Sequence, residues 1–103
     1  MDKSRALKLL HDSRERIDSI DEELLSLISK RTALSRDIIK AKIFLDIDIH
    51  DPEREEHIHK KAKNMARENN IDEEGLSQIM KILTDLNKKE QEEILRRKNN
   101  GKY

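Results

Sequence analysis

Between Leu10 and Leu45 apolar residues return in a 3-4 alternation, and neither glycine nor proline interrupts them. Leu10, Ile17, Leu24, Ile38 and Leu45 occupy one heptad position, with Arg31 standing in the same column. Ser13, Ile20, Leu27, Leu34 and Ala41 occupy the partner position. A seam sustained for about 35 residues specifies one long helix. We expect it from about residue 5 to residue 45, where a rise of ~1.5 Å per residue makes it on the order of 60 Å long. No globule of 103 residues needs such a helix for itself. It is expected to run past the rest of its own chain and pack on another subunit.

The composition agrees. Charged residues make up 43% and hydrophobic residues 34%, the only aromatics are Phe44 and Tyr103, and there are two glycines and one proline. Regularly spaced leucines and isoleucines with so few turn formers indicate long helices rather than disorder. A thin apolar stripe on a small chain completes its core with a second copy. The 22 basic and 22 acidic residues cancel, so no global field draws nucleic acid. No stretch approaches the ~20 apolar residues of a membrane span, and the opening MDKSRALKLL lacks the apolar run of a signal peptide. Without cysteine there is neither a disulfide framework nor a thiolate metal site. A cytoplasmic protein is the default expectation.

After LDIDIH, the pair Asp51-Pro52 is a helix start: an acceptor at the N-cap, then proline at the first helical position. Glu53 and Glu55 suit the positive end of that helix. A second helix is expected over 52–68, with Ile58, Ala62, Met65 and Ala66 inward. Asp72 is expected to cap a third over 73–97, with Leu76, Ile79, Met80, Leu83 and Ile94 inward. The tail, about 98–103, is expected to fray. The predicted architecture is all-α: a single domain over 1–103 with one very long and two shorter helices, assembled as a dimer.

Polar residues interrupt every one of these apolar faces. Arg31 stands where the heptad asks for leucine, Asn87 and Gln91 follow Leu83 at the inward positions of the third helix, and Glu55 is in line with Ile58, Ala62 and Met65. A lone polar residue in a seam can be a register device. Three helices with the same anomaly suggest instead a buried polar ligand, because buried polar groups need partners. Arg31 and Lys42 are three helical turns apart on nearly one face, ~16 Å between Cα atoms, so two long side chains could meet around a small anion. Arg14 precedes Arg31 by ~25 Å along the helix, beyond a shared grip on one small molecule. Arg14 either serves a site in another subunit or, like many surface cations, pairs in solvent; Lys42 has the same bland alternative.

Four segments in order, SRERIDSIDEELLSLISKR, IIKAK, DPERE and LNKKEQ, resemble the all-helical class of chorismate mutases, over about residues 7–95. The resemblance implies an intertwined six-helix homodimer with two active sites, each completed by an arginine from the partner's long helix. It also implies the reaction, a Claisen rearrangement of the dianion chorismate to prephenate on the way to phenylalanine and tyrosine, which uses no cofactor, metal, nucleophile or general base. By the same resemblance Arg31 binds one substrate carboxylate, and Arg14 is lent to the neighbouring site for the other. Lys42 contacts a carboxylate and the ether oxygen, and Gln91 donates to that oxygen. Asp51 and Glu55 surround the ring hydroxyl, although helix capping alone would also account for Asp51. Arg54 lies in the DPERE motif without a defined role, and Asn87 stands where many members carry a small hydroxyl residue near a carboxylate.

Two other readings compete. One is an isochorismate pyruvate-lyase, which shares this fold and a similar cationic pocket; the complete DPERE motif favours the mutase. The other is a non-catalytic helical dimer in which each buried polar residue only fixes register. His57 and His59, two apart on a helix, point to different faces and are expected in solvent, as is His50, so no metal site is expected. The basic run LRRKNNGK has acidic neighbours and no interleaved aromatics, so it is expected to be a solvated helix end. The chain has no room for a fused dehydratase, dehydrogenase or regulatory domain, and a single activity is expected. Since Gln91 donates as a neutral amide, we expect little loss of activity between pH 6 and pH 8 in a pH–rate profile.

Overall fold

The computed structural model describes residues 1–101, and the final two residues of the expected frayed tail lie outside them. Three helices make up the fold: α1 over Lys3–Leu45, α2 over Pro52–Glu68 and α3 over Glu73–Asn99. Among the described residues there is no strand, and no helix is long and apolar enough to cross a membrane.

Local chemistry sets these boundaries. α1 starts two residues earlier than expected because the Asp2 carboxylate accepts the Arg5 N–H at 2.8 Å, an N-cap that the seam does not reveal. The Asp51 side chain accepts the Arg54 N–H, with Pro52 next, and the Asp72 side chain accepts the Gly75 N–H at 2.7 Å. α1 and α2 stop at Asp46 and Asn70, whose φ values of 56° and 54° are left-handed. In both cases the following isoleucine N–H reaches back five residues, from Ile47 to Lys42 O and from Ile71 to Ala66 O. This wrap satisfies carbonyls the helix would otherwise leave open. α3 runs two residues past its expected end. Glu93 pairs with Arg96 and Arg97 across the last turns, and Arg96, Arg97 and Lys98 suit the negative end of the dipole. The Arg96 contact holds the Glu93 carboxyl below its ordinary value.

The chain divides into two units, residues 1–30 and residue 31 onward. The first is a stretch of α1 on which Leu10, Ile17, Ile20, Leu24 and Leu27 are all exposed, Ile17 at 55%. In the second unit α2 and α3 pack directly on each other, where the buried Ala62 and Ala66 let the two backbones approach. The part of α1 in this unit is joined to α3 by side-chain hydrogen bonds.

Among the described residues only Ile39, Ala62 and Ala66 are buried apolar residues, against four buried polar ones, Ser35, Ser77, Asn87 and Gln91. Two residues expected inward are on the surface of the chain, Met65 at 48% and Ile79 at 54% exposure. Each sits at the edge of its helix's apolar arc, and the narrow α2–α3 contact covers only the centre. Ile58, Leu76, Met80, Leu83 and Ile94 are half-buried. Because Ala66 is fully enclosed, Ala66→Leu should destabilise the chain by about 1–3 kcal/mol through overpacking, read as a lower urea midpoint at unchanged m-value.

Candidate active site

A cavity of about 410 Å³ opens among residues 31–42 of α1, the α1–α2 connection, α2 and α3. Its polar lining comprises Arg31, Ser35, Lys42, Asp51, Arg54, Glu55, Thr84, Asn87, Lys88 and Gln91, with Leu34, Ile38, Ile49 and Ile58 as the apolar walls. Of the seven residues singled out in the sequence, Arg31, Lys42, Asp51, Glu55, Asn87 and Gln91 meet here. Arg14 does not line it; it is an exposed residue of the other unit.

The helical period explains the convergence. Arg31, Ser35, Ile38 and Lys42 follow at steps of four, three and four, one face of α1. Thr84, Asn87, Lys88 and Gln91 form the corresponding face of α3, and Asp51, Arg54, Glu55 and Ile58 follow from the first turn of α2. Asp51 lines the cavity and caps α2 as well.

Hydrogen bonds fix most of these groups. Arg31 Nη1 donates to Leu83 O at 3.1 Å and to Asn87 Oδ1. Asn87 Nδ2 donates to Thr32 Oγ1, so both ends of its amide are engaged with α1. Asn87 thus holds Arg31 in place, a task that the resemblance does not suggest for it. Gln91 Nε2 donates to Ser35 Oγ at 2.7 Å, and Ser35 Oγ donates to Asn87 O. An amide nitrogen carries two hydrogens, and Ser35 takes one of them. Lys42 Nζ donates to Ile49 O at 2.8 Å, which ties the ammonium to the α1–α2 connection.

The electrostatics are one-sided. Four cations and two carboxylates line the cavity, a formal balance of plus two. Lys88 pairs with Glu55 at 2.5 Å, whereas Arg31, Lys42 and Arg54 make no ion pair among the described residues. Burial, and then the neighbouring Arg54 charge, push the Arg31 guanidinium below its ordinary value. It is still a cation at any physiological pH. Half-buried Arg31 and Lys42 without carboxylate partners are costly, and a bound anion would relieve them.

Lys88, Ser35 and Thr84 were not singled out in the sequence. Lys88 lies four residues after Thr84 and three before Gln91, a spacing that places it on the same face. In so charged a chain a lysine on a helix carries no signal of its own. His59 also differs from expectation: its residue is exposed, but ring Nδ1 lies 2.5 Å from the Ser77 hydroxyl and links α2 to α3. His50 and His57 are exposed as expected. Among the described residues the group that could collect a metal ion is His11, Asp12 and Glu15 on α1, and none of these lines the cavity.

If Ser35 orders the polar layer, Ser35→Ala should cost about 1–3 kcal/mol, the penalty for stranding a buried amide and a carbonyl. The measurement is equilibrium denaturation.

Comparison with known proteins sharpens the chemistry. Residues 13–92 match the family described as chorismate mutase type II. A chorismate mutase of Methanocaldococcus jannaschii is 37% identical over 89 residues, covering 86% of this chain and 90% of that protein. A bifunctional chorismate mutase/prephenate dehydratase of Aquifex aeolicus is 39% identical over 59 residues, 57% of this chain but 16% of that much longer protein.

Proposed function

The chain belongs to the chorismate mutase type II family, and from that premise we propose that its cavity is the site where chorismate rearranges to prephenate. The activity is that of an isomerase, a chorismate mutase. The observation that carries the assignment of the site is the charge of the lining: three cations without carboxylate partners among the described residues, beside two amides in one hollow. This is the complement of a small dianion, and the formal balance of plus two matches the substrate's charge.

The reaction needs little from the protein. In one step the ether C–O bond of the enolpyruvyl group breaks while a C–C bond to the ring forms, and no proton moves. Free chorismate samples many conformers, and the enzyme gains by holding the compact chair. Arg31 presents a planar fork that suits a carboxylate bidentately, and its bonds to Leu83 O and Asn87 orient that fork before substrate arrives. Lys42, tethered to Ile49 O, keeps further N–H donors for a carboxylate and for the ether oxygen. Gln91, anchored by Ser35, offers its second hydrogen to the same oxygen. Negative charge grows there in the transition state, so both donors bind it more tightly than the ground state. Asp51 and Glu55 accept from the ring hydroxyl. Half-buried Ile49 and Ile58 give the hollow an apolar wall, which strengthens each of these contacts.

The second carboxylate calls for another cation, and we assign Arg14 of a second copy to it. Support comes from the exposed row Leu10, Ile17, Ile20, Leu24 and Leu27, a contiguous apolar face of the kind a homodimer covers. The working unit is then an intertwined six-helix dimer in which each chain acts as one domain. A cytoplasmic location goes with this reading.

Loss of chorismate absorbance on adding purified protein, with prephenate as the product, tests the assignment directly; conversion of isochorismate instead would point to the lyase. Lys42→Ala should lower kcat by roughly 10²–10³-fold, as expected for removal of one donor to a developing oxyanion, while the dimer persists in sedimentation. Neither Arg14→Ala nor Lys42→Ala should turn over alone, yet an equal mixture refolded together should recover about a quarter of wild-type activity, since half of the random dimers carry one intact site. A mixture no more active than its components would refute the lent arginine.

A further inference from the structure

A site for a dianion has no electrostatic use for carboxylates, yet Asp51 and Glu55 both line this one. A carboxylate is an acceptor only, so in such a site it serves a ligand that brings its own donor, such as a hydroxyl. Asp51 has one oxygen committed to the Arg54 N–H. Glu55 is held from a different direction: its Oε1 lies 2.5 Å from Lys88 Nζ, and the two side chains are 33% and 28% exposed. The contact with Glu55 is the main reason that the Lys88 ammonium is held above its ordinary value, with Asp85 and Glu92 adding to the effect.

Among the described residues, Lys88 is therefore the cavity cation that is paired with a carboxylate. Among the described residues Arg31, Lys42 and Arg54 form no ion pair with a carboxylate, while Lys88 is closely paired and has two further acidic neighbours, which makes it a poor ligand for a substrate carboxylate. Its effect on Glu55 is twofold. It cancels the repulsion that Glu55 would exert on an incoming dianion, and it fixes one carboxylate oxygen so that Oε2 is left to accept a donor.

We propose that Lys88 is a positioning residue that sets the site's demand for the substrate's ring hydroxyl, acting through Glu55. The inference rests on the cavity being the active site proposed above. The hydrogen bond from hydroxyl to Glu55 exists in ground and transition states alike, so losing its support weakens binding rather than the chemical step.

The test is steady-state kinetics of the full chain and its Lys88→Met, Lys88→Arg and Glu55→Gln variants. The substrates are chorismate and its analogue with hydrogen in place of the ring hydroxyl. For Lys88→Met we expect KM for chorismate to rise about tenfold with kcat changed less than about threefold, the scale of one hydrogen bond to a charged group. The same variant should lose clearly less on the deoxy analogue, which meets the uncompensated Glu55 charge but has no hydroxyl contact to lose, and Lys88→Arg, which keeps the charge, should restore most of the preference for the hydroxyl. Added to Glu55→Gln, Lys88→Met should change KM little further, because the group it acts through is already gone. An equal loss on both substrates, or no loss on chorismate, overturns the role of Lys88 and leaves the mutase assignment standing. If the unaltered chain turns over neither substrate, both fall together.

Discussion

The hydrogen-bonded layer between α1 and α3 is the interaction on which the rest depends. Arg31, Thr32 and Ser35 on one helix meet Leu83 O, Asn87 and Gln91 on the other. With fewer buried apolar side chains than buried polar ones, the second unit does not rest on an oily core. Each of these contacts contributes modestly when made and costs more when one partner is missing. The layer is therefore well suited to specifying one register of α1 against α3 rather than to supplying bulk stability.

Under the proposed function the same layer, together with the Lys42–Ile49 contact, also prepares the donors. A side chain that must meet a reacting oxygen is effective only if it waits in place, since ordering it during the reaction would consume the stabilisation it offers. Gln91 waits on Ser35, Lys42 on the Ile49 carbonyl, and Arg31 on Asn87 and Leu83. Structural hydrogen bonds and donor orientation are thus one set of contacts. In the proposed dimer a second copy would cover the exposed seam of α1, and burial of that area would add about 25 cal/mol per Å² to a thin core.

Charge placement follows a comparable logic. The chain is neutral as a whole, yet its cavity concentrates cations, while elsewhere several charges pair locally along helix faces, as Lys8 with Asp12, Lys60 with Glu56 and Lys81 with Asp85 do. Exposed pairs of this kind contribute little to stability. They leave the uncompensated charge where a doubly negative ligand would find it, and Glu55 joins that group only in company with Lys88.

The three helices and most of their ends were legible in the residues, because periodicity and capping are local: the seam of α1, the Asp51-Pro52 start and the Asp72 cap each act within a few positions. The Asp2 cap and the Glu93 pairs that lengthen α1 and α3 escaped only because they lie beyond the apolar pattern. Arg31, Asn87 and Gln91 announced themselves by standing where leucine belonged. Tertiary structure alone decided that these groups share one hollow with Asp51 and Glu55, that Asn87 serves Arg31, and that Met65 and Ile79 stay at the surface. It alone selected Lys88 from among 22 basic residues. A helix fixes which residues share a face, but the partner across that face is set by how three helices pack, and no local pattern encodes a contact between residues 55 and 88.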